Sequence, residues 1–171
     1  MLVLLNLFFN ICRLRANPQD IPSSTFLMVL ALLSYGLFSL LISIIEIPIG
    51  NAILSSSVDT LLLMGLAIVS LWIRNLPERK TQTITALAGT GTLLQLVAWP
   101  ILFWLSQDND TLSEFSLLRW ILLILVFWNV VVIAHILRHA LSVTYTIGAG
   151  IALLYVYLSI RIADILFIAA S

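Results

Sequence analysis

Five ionisable side chains interrupt the long apolar stretches of this sequence: Glu46, Asp59, Arg119, Arg161 and Asp164. An ionised group in hydrocarbon is costly unless it meets a partner or water, so each marks a site or a route back to the surface. All five fall toward one end of the stretches that carry them: Glu46 late in the first, Asp59 early in the second, Arg119 early in the fourth, Arg161 and Asp164 late in the fifth. Three acids and two arginines then share one layer, with Arg161 and Asp164 at i and i+3 on one helix face. The spacing predicts an ion-pair cluster close to the outer surface. Such a layer serves as a gate, a proton-coupled site or a binding cup open to that side. The competing reading is that the charges snorkel to headgroups and water or only fix helix packing. Deeper in the chain, Gln95 and Asn129 fall near the middle of the third and fourth stretches, and are expected to form hydrogen-bonded contacts between helices. No carboxylate or histidine falls at mid-depth, which argues against a proton relay across a whole bilayer.

His135 and His139 stand at i, i+4 and could face one metal ion from one helix side. Arg138 between them repels a cation, so the expectation is no metal site, with the histidines at a helix C-terminus where positive charge is favoured. The single cysteine, Cys12, can make neither an internal disulfide nor a cysteine metal cluster. There is no phosphate-binding glycine loop, no G-x-S-x-G, no H-E-x-x-H and no basic nucleic-acid stripe. The sequence therefore predicts neither an enzyme nor a cofactor, and no nucleic-acid partner.

The elements that hold these residues follow from composition. With 61% hydrophobic and 9% charged residues and a mean hydropathy of +1.13, the chain is far too apolar for a water-soluble domain. A spanning helix needs about 20 apolar residues, and five such stretches are present: 25–49, 52–73, 83–105, 115–137 and 143–168. The expectation is an all-α polytopic bundle, with residues 25–171 forming a five-helix transmembrane domain. Arg13 and Arg15 precede the first span, Arg74, Arg79 and Lys80 follow the second, and Arg138 follows the fourth. Basic residues concentrate on the cytoplasmic side, which predicts an inner-membrane protein with a cytoplasmic N-terminus and a periplasmic C-terminus. The acidic loop Asp108, Asn109, Asp110 and Glu114 then lies outside, and Trp72, Trp104 and Trp120 mark helix ends at the headgroups.

Residues 1–16 read as an amphipathic interfacial helix rather than a signal peptide. The apolar run comes first and the arginines follow it, the reverse of a signal sequence. Asn6, Asn10 and Arg13 form one polar stripe. Residues 17–24, with Pro18 and Pro22, form a linker. Small and polar residues repeat on one face of three spans: Gly36, Ser39, Ser43, Glu46; Thr81, Thr85, Ala88, Thr92, Gln95; and Tyr145, Gly148, Ala152, Tyr155, Ser159. These faces are expected to point inward and let backbones approach closely. Pro100 removes a backbone donor late in the third span, where a kink is expected near Leu96 to Pro100.

The short N-terminal helix, the proline linker from Asn17 to Pro22, the run Leu87, Ala88, Gly89, Thr90, Gly91, Thr92 and the near absence of loops resemble the small bacterial membrane proteins grouped with the Yip1 domain. Eukaryotic relatives act in vesicle traffic with small GTPases through a far longer cytosolic N-terminal region. The resemblance implies a non-enzymatic membrane organiser. The sequence reading is thus a scaffold or partner-binding subunit whose partners are the bilayer and another membrane protein or a second copy of itself. The alternative is a small transporter or channel subunit with a charged outer vestibule, distinguished by a hydrated cavity joining Asp59 or Arg119 to mid-depth.

Overall fold

Ser24 accepts a hydrogen bond from the Leu27 amide at 3.4 Å and so starts the first long helix at Thr25, as an N-cap serine does. In the computed structural model, which describes residues 2–107 and 117–168, the order is α1 (Leu2–Cys12), α2 (Thr25–Ser43), α3 (Ile49–Ile73), α4 (Lys80–Gln107), α5 (Leu117–Leu141) and α6 (Tyr145–Ile168). Single 3-10 turns at Pro18–Asp20 and Pro77–Arg79 precede α2 and α4. The five helices α2 to α6 are each long and apolar enough to cross a bilayer. Their outer faces carry exposed Leu61, Val69, Leu123, Phe127, Leu153 and Leu154, a surface that water would not tolerate and lipid covers. The fold is the all-helical five-span bundle with a short helix before it, and the chain is a multi-pass membrane protein.

The acidic loop from Asp108 through Glu114, and Phe115 at the expected start of the fourth span, lie outside the described residues. One boundary differs from the sequence reading. The first span ends at Ser43 rather than running to Ile49, because Pro48 opens α3 and the chain turns at Ile44–Ile47 through bonds to the Ser43 carbonyl. Glu46 therefore sits in that turn.

The end of the bundle carrying Arg74, Arg79, Lys80 and Arg138 is called the basic end below, and the opposite one the far end. At the basic end three helices stop in one way. Leu14, Asn75 and Ser142 adopt positive φ of 61°, 54° and 53°. The next amide reaches back five residues: Arg15 to Asn10 at 2.9 Å, Leu76 to Leu71 at 2.9 Å and Val143 to Arg138 at 3.1 Å. This is the Schellman closure of a helix C-terminus, made here without glycine. Arg79 secures the α5 end by donating to the Ala140 carbonyl at 3.1 Å and to the Ser142 hydroxyl at 3.0 Å.

Helix α4 lies at the centre, packed on α1, α2, α3 and α5. Every residue from Thr83 to Thr90 is buried, as is every residue of α5 from Val132 to Leu137. Eight consecutive buried positions cover more than two turns of a helix, so no face of α4 is open there. Cover comes partly from the N-terminal segment. Phe8 of α1 lies against Gly89. Trp128, His135 and His139, spaced seven and four apart on α5, bind the Cys12 carbonyl at 3.1 Å, the Ala16 carbonyl at 3.1 Å and, through the His139 carbonyl, the Gln19 amide at 3.1 Å. Gln82 of α4 completes the seam by donating to the Ile21 carbonyl at 2.8 Å.

The expected inward stripes are found: Ser39, Thr85, Ala88, Gly148, Ala152 and Tyr155 are buried, whereas Tyr145 and Glu46 at the stripe ends are exposed. At Gly148 a Cβ would stand 2.7 Å from the Ala134 carbonyl oxygen, a backbone atom that cannot step aside. Gly150, two residues on, has open space around it. Overpacking of this kind costs about 1–3 kcal/mol, so Gly148→Ala is expected to lower the unfolding temperature in detergent by several degrees while Gly150→Ala leaves it level or slightly raised. Equal responses from the two variants would contradict the close α5–α6 approach. Cys12 supplies a second check. Burial pushes its thiol up to about 11, leaving little thiolate at neutral pH. Alkylation of the folded protein is expected to be slow at pH 7.5, to accelerate only toward pH 11, and to become rapid on denaturation in dodecyl sulfate. Equal rates before and after denaturation would show that α1 is undocked.

Candidate functional site

Asp59 stands ten residues past the start of α3 at Ile49, about 15 Å along the helix at its usual rise. The carboxylate faces into the bundle between α2 and α6. Tyr35 of α2 donates to one oxygen at 2.7 Å, and Ser159 of α6 donates to the other at 2.7 Å. Tyr155, one turn before Ser159, reaches the second oxygen at 3.3 Å and the Tyr35 hydroxyl at 3.0 Å. The Tyr35 proton is directed at Asp59, so the single Tyr155 proton serves either Tyr35 or Asp59. Insertion scales put an Asp at mid-membrane at about 2.5–3.5 kcal/mol, and a hydrogen bond to a charged group returns roughly 1.5–3 kcal/mol. The two short bonds are thus enough to hold the group in place.

Local sequence explains how two helices deliver these three hydroxyls. Tyr155 and Ser159 lie at i and i+4 on the small-residue face of α6, with Ala152 buried one turn before. Tyr35 can enter because α4 offers Gly91 opposite: a Cβ there would stand 2.6 Å from the Tyr35 ring. The glycine run in α4 thereby forms the seat for the tyrosine that holds Asp59.

Three cavities adjoin one another around this group. The one nearest the far end, about 270 Å³, is lined by Ile42, Ser43, Glu46, Ser55 and Leu102 among others. The next, about 230 Å³, shares Ile42, Ser43 and Ser55 with it and adds Ser39, Asp59, Gln95 and Ser159. The third, about 110 Å³, shares Gln95 and is mostly apolar, with Leu63, Leu87, Leu125 and Ile133 beside Tyr35, Asn129 and Tyr155. Gln95 forms part of the wall between the second and third, and its buried Oε1 has no hydrogen-bond partner. Beyond the third cavity toward the basic end lies the packed block of Thr83–Thr90 and Val132–Leu137.

The five residues expected in one outer ion-pair layer differ in surroundings: Asp59 turns into the bundle, and the other four are exposed. Asp59 is held by hydroxyls rather than by arginine. Arg161 is exposed, donates to the Tyr157 hydroxyl at 3.3 Å and rests over that ring at 5.6 Å. Arg119 and Asp164 are exposed, and Glu46 is exposed in the α2–α3 turn. The physical reason is solvation: long or terminal side chains reach the surface at small cost, whereas Asp59, short and well inside α3, must be satisfied from within. Gln95 and Asn129 line one cavity, but the interhelical hydrogen bond expected of Gln95 is not made through its Oε1, which has no partner.

Asp59 was marked by the sequence, but its partners Tyr35, Tyr155 and Ser159 were not assigned to it. The available signal was a tyrosine hydroxyl within an apolar span, which needs a partner. At His135, Nε2 points to the Ala16 carbonyl, which can only accept, so that nitrogen carries the proton and is not a metal donor. Among the described residues no group of three or more His, Cys, Asp or Glu side chains could hold a metal ion. Comparison with family models, with curated proteins and with solved structures finds no match.

Removing one donor tests the cluster. Tyr35→Phe keeps the ring on Gly91 but takes one of the two 2.7 Å bonds from Asp59, and is expected to destabilise the protein by about 1.5–3 kcal/mol. Tyr145→Phe, at an exposed position, is expected to have no effect on the unfolding temperature. If Tyr35→Phe is as stable as the parent, Asp59 does not depend on this hydroxyl.

Proposed function

We propose that this chain is a small carrier or channel subunit that admits a cationic solute from the far end to the Asp59 site. What supports the reading is the row of adjoining cavities from Glu46 past Asp59 to Asn129, lined by acid, amide and hydroxyl groups. Toward the basic end α4 and α5 are buried through 83–90 and 132–137, and the cavity of about 450 Å³ between α3 and α6 there is lined mostly by aliphatic side chains. A scaffold gains helix register from the satisfied Asp59 cluster, but an amide oxygen left without a partner costs free energy and suits a binding site better than a packing contact. The two readings drawn from sequence accordingly change places, and the transporter reading leads.

The sign of the solute follows from the lining. Glu46 and Asp59 are the acids along this row, and the arginines nearest in sequence, Arg119 and Arg161, point to the surface. Acidic walls in a low-dielectric setting concentrate cations. With Arg74, Arg79, Lys80 and Arg138 at the basic end, the positive-inside preference directs that end to the cytoplasm and the open cavities to the periplasmic side of an inner membrane.

Single cysteines in a Cys12→Ser background test the reading with a membrane-impermeant thiol reagent. Cysteines at Ser55 and Gln95 are expected to react in right-side-out vesicles and to be protected in inverted ones, while one at Ala86, in the buried block, stays silent in both. Silence at Ser55 and Gln95 from both sides would mean a dry interior and would overturn the proposal. Reaction only in inverted vesicles would reverse the orientation.

A further inference from the structure

The second cavity has an imbalance of hydrogen-bonding groups that indicates what it takes. A carboxylate offers about four lone-pair positions, and the Asp59 oxygens receive at most three protons, from Tyr35, Ser159 and Tyr155. The Ser159 proton is directed at Asp59, and the Ser43 proton at the Ser39 carbonyl, 2.9 Å away. The serine oxygens keep their accepting lone pairs. Gln95 Oε1 is buried and accepts nothing. The cavity thus presents an anion with acceptor capacity left, an orphaned carbonyl and, at Ser43 and Ser159, oxygens whose own protons point elsewhere, beside the hydroxyls of Ser39 and Ser55.

Such a lining calls for a ligand that donates several hydrogen bonds and carries one positive charge. Its size argues against a bare ion. The space is about 230 Å³, against the roughly 10–15 Å³ that one water requires on the same kind of measure. Its wall is also mixed: Ile42, Val58, Leu62 and Ile162 line it beside the polar groups. A desolvated alkali ion would leave those aliphatic side chains facing empty space.

We infer that the Asp59 cavity binds a small primary alkylammonium ion, its three N–H groups directed at Asp59, Gln95 Oε1 and a serine oxygen, its short hydrocarbon tail lying against Val58 and Leu62. This rests on the reading of the cavity as open to the far end, and adds to it the class of solute. Head and tail are recognised by different surfaces, so affinity should rise with chain length until the space is filled.

The test uses the full chain in nanodiscs, with binding followed by thermal shift and calorimetry at matched ionic strength. The probes are methyl-, ethyl- and n-butylammonium chloride, with tetramethylammonium, sodium and potassium chloride for comparison. The expected result is saturable stabilisation that increases from methyl- to n-butylammonium. Tetramethylammonium, which has no N–H, should bind at least tenfold more weakly than n-butylammonium. Asp59→Asn should lose at least tenfold in affinity. Because that variant disturbs the hydroxyl cluster, Ser55→Phe, which narrows the approach and leaves Asp59 and its donors in place, should also weaken binding. Tetramethylammonium binding as well as n-butylammonium would overturn recognition through N–H groups. Sodium or potassium binding without alkylammonium binding would assign the cavity to an alkali ion instead, and undiminished binding in Ser55→Phe would move the site elsewhere. If no cation binds, the inference fails, and labelling at Ser55 and Gln95 then decides whether the open cavity survives it.

Discussion

A carboxylate well inside an apolar helix has to be solvated by the protein, and meeting that need at Asp59 shapes the half of the bundle around it. Hydroxyls come from α2 and α6, so both helices must lie against α3 at the same level. Tyr35 reaches Asp59 only because α4 presents a glycine to its ring. One buried charge thereby fixes the mutual register of four helices. Packing between apolar helices in lipid is weakly directional, and a polar contact of this kind supplies the direction.

The two halves of the bundle differ in construction. Toward the basic end α4 and α5 are enclosed on every side, with threonines whose hydroxyls bond back to the carbonyl one turn earlier, as Thr83, Thr85 and Thr90 do. Those side chains add polarity without asking anything of a neighbouring helix. Toward the far end the amide and hydroxyl groups point into cavities, and Gln95 Oε1 is left unmatched. The basic-end half, with its buried α4–α5 block and an apolar groove between α3 and α6, thus differs in lining from the half that holds the unmatched acceptor.

The first 21 residues contribute more than an anchor. Through carbonyls of Cys12, Ala16, Gln19 and Ile21 and the side chain of Gln19, the segment is joined to α4 and α5 at five points. It covers the part of α4 from Thr83 to Thr90 that would otherwise be exposed. The non-helical backbone of residues 13–24 is thereby supplied with partners inside the protein, as any irregular segment near lipid must be.

The sequence by itself determined the class, the number of spans and the faces that turn inward, because apolar length and the spacing of small residues follow from bilayer thickness and helix periodicity alone. It also marked Asp59, Gln95 and Asn129 as the polar residues to watch. It did not reveal the left-handed ends at Leu14 and Ser142, where glycine, the usual signal, is absent. Nor did it separate Asp59 from the arginines: it put all five near one surface, whereas α3 starts at Ile49 and carries Asp59 about 15 Å inward, and rotation about the axis relative to other helices cannot be counted from sequence. Only the tertiary structure decided that Tyr35, Tyr155 and Ser159 converge on Asp59 while Arg119 and Arg161 turn outward, since that choice depends on how whole helices pack around α4.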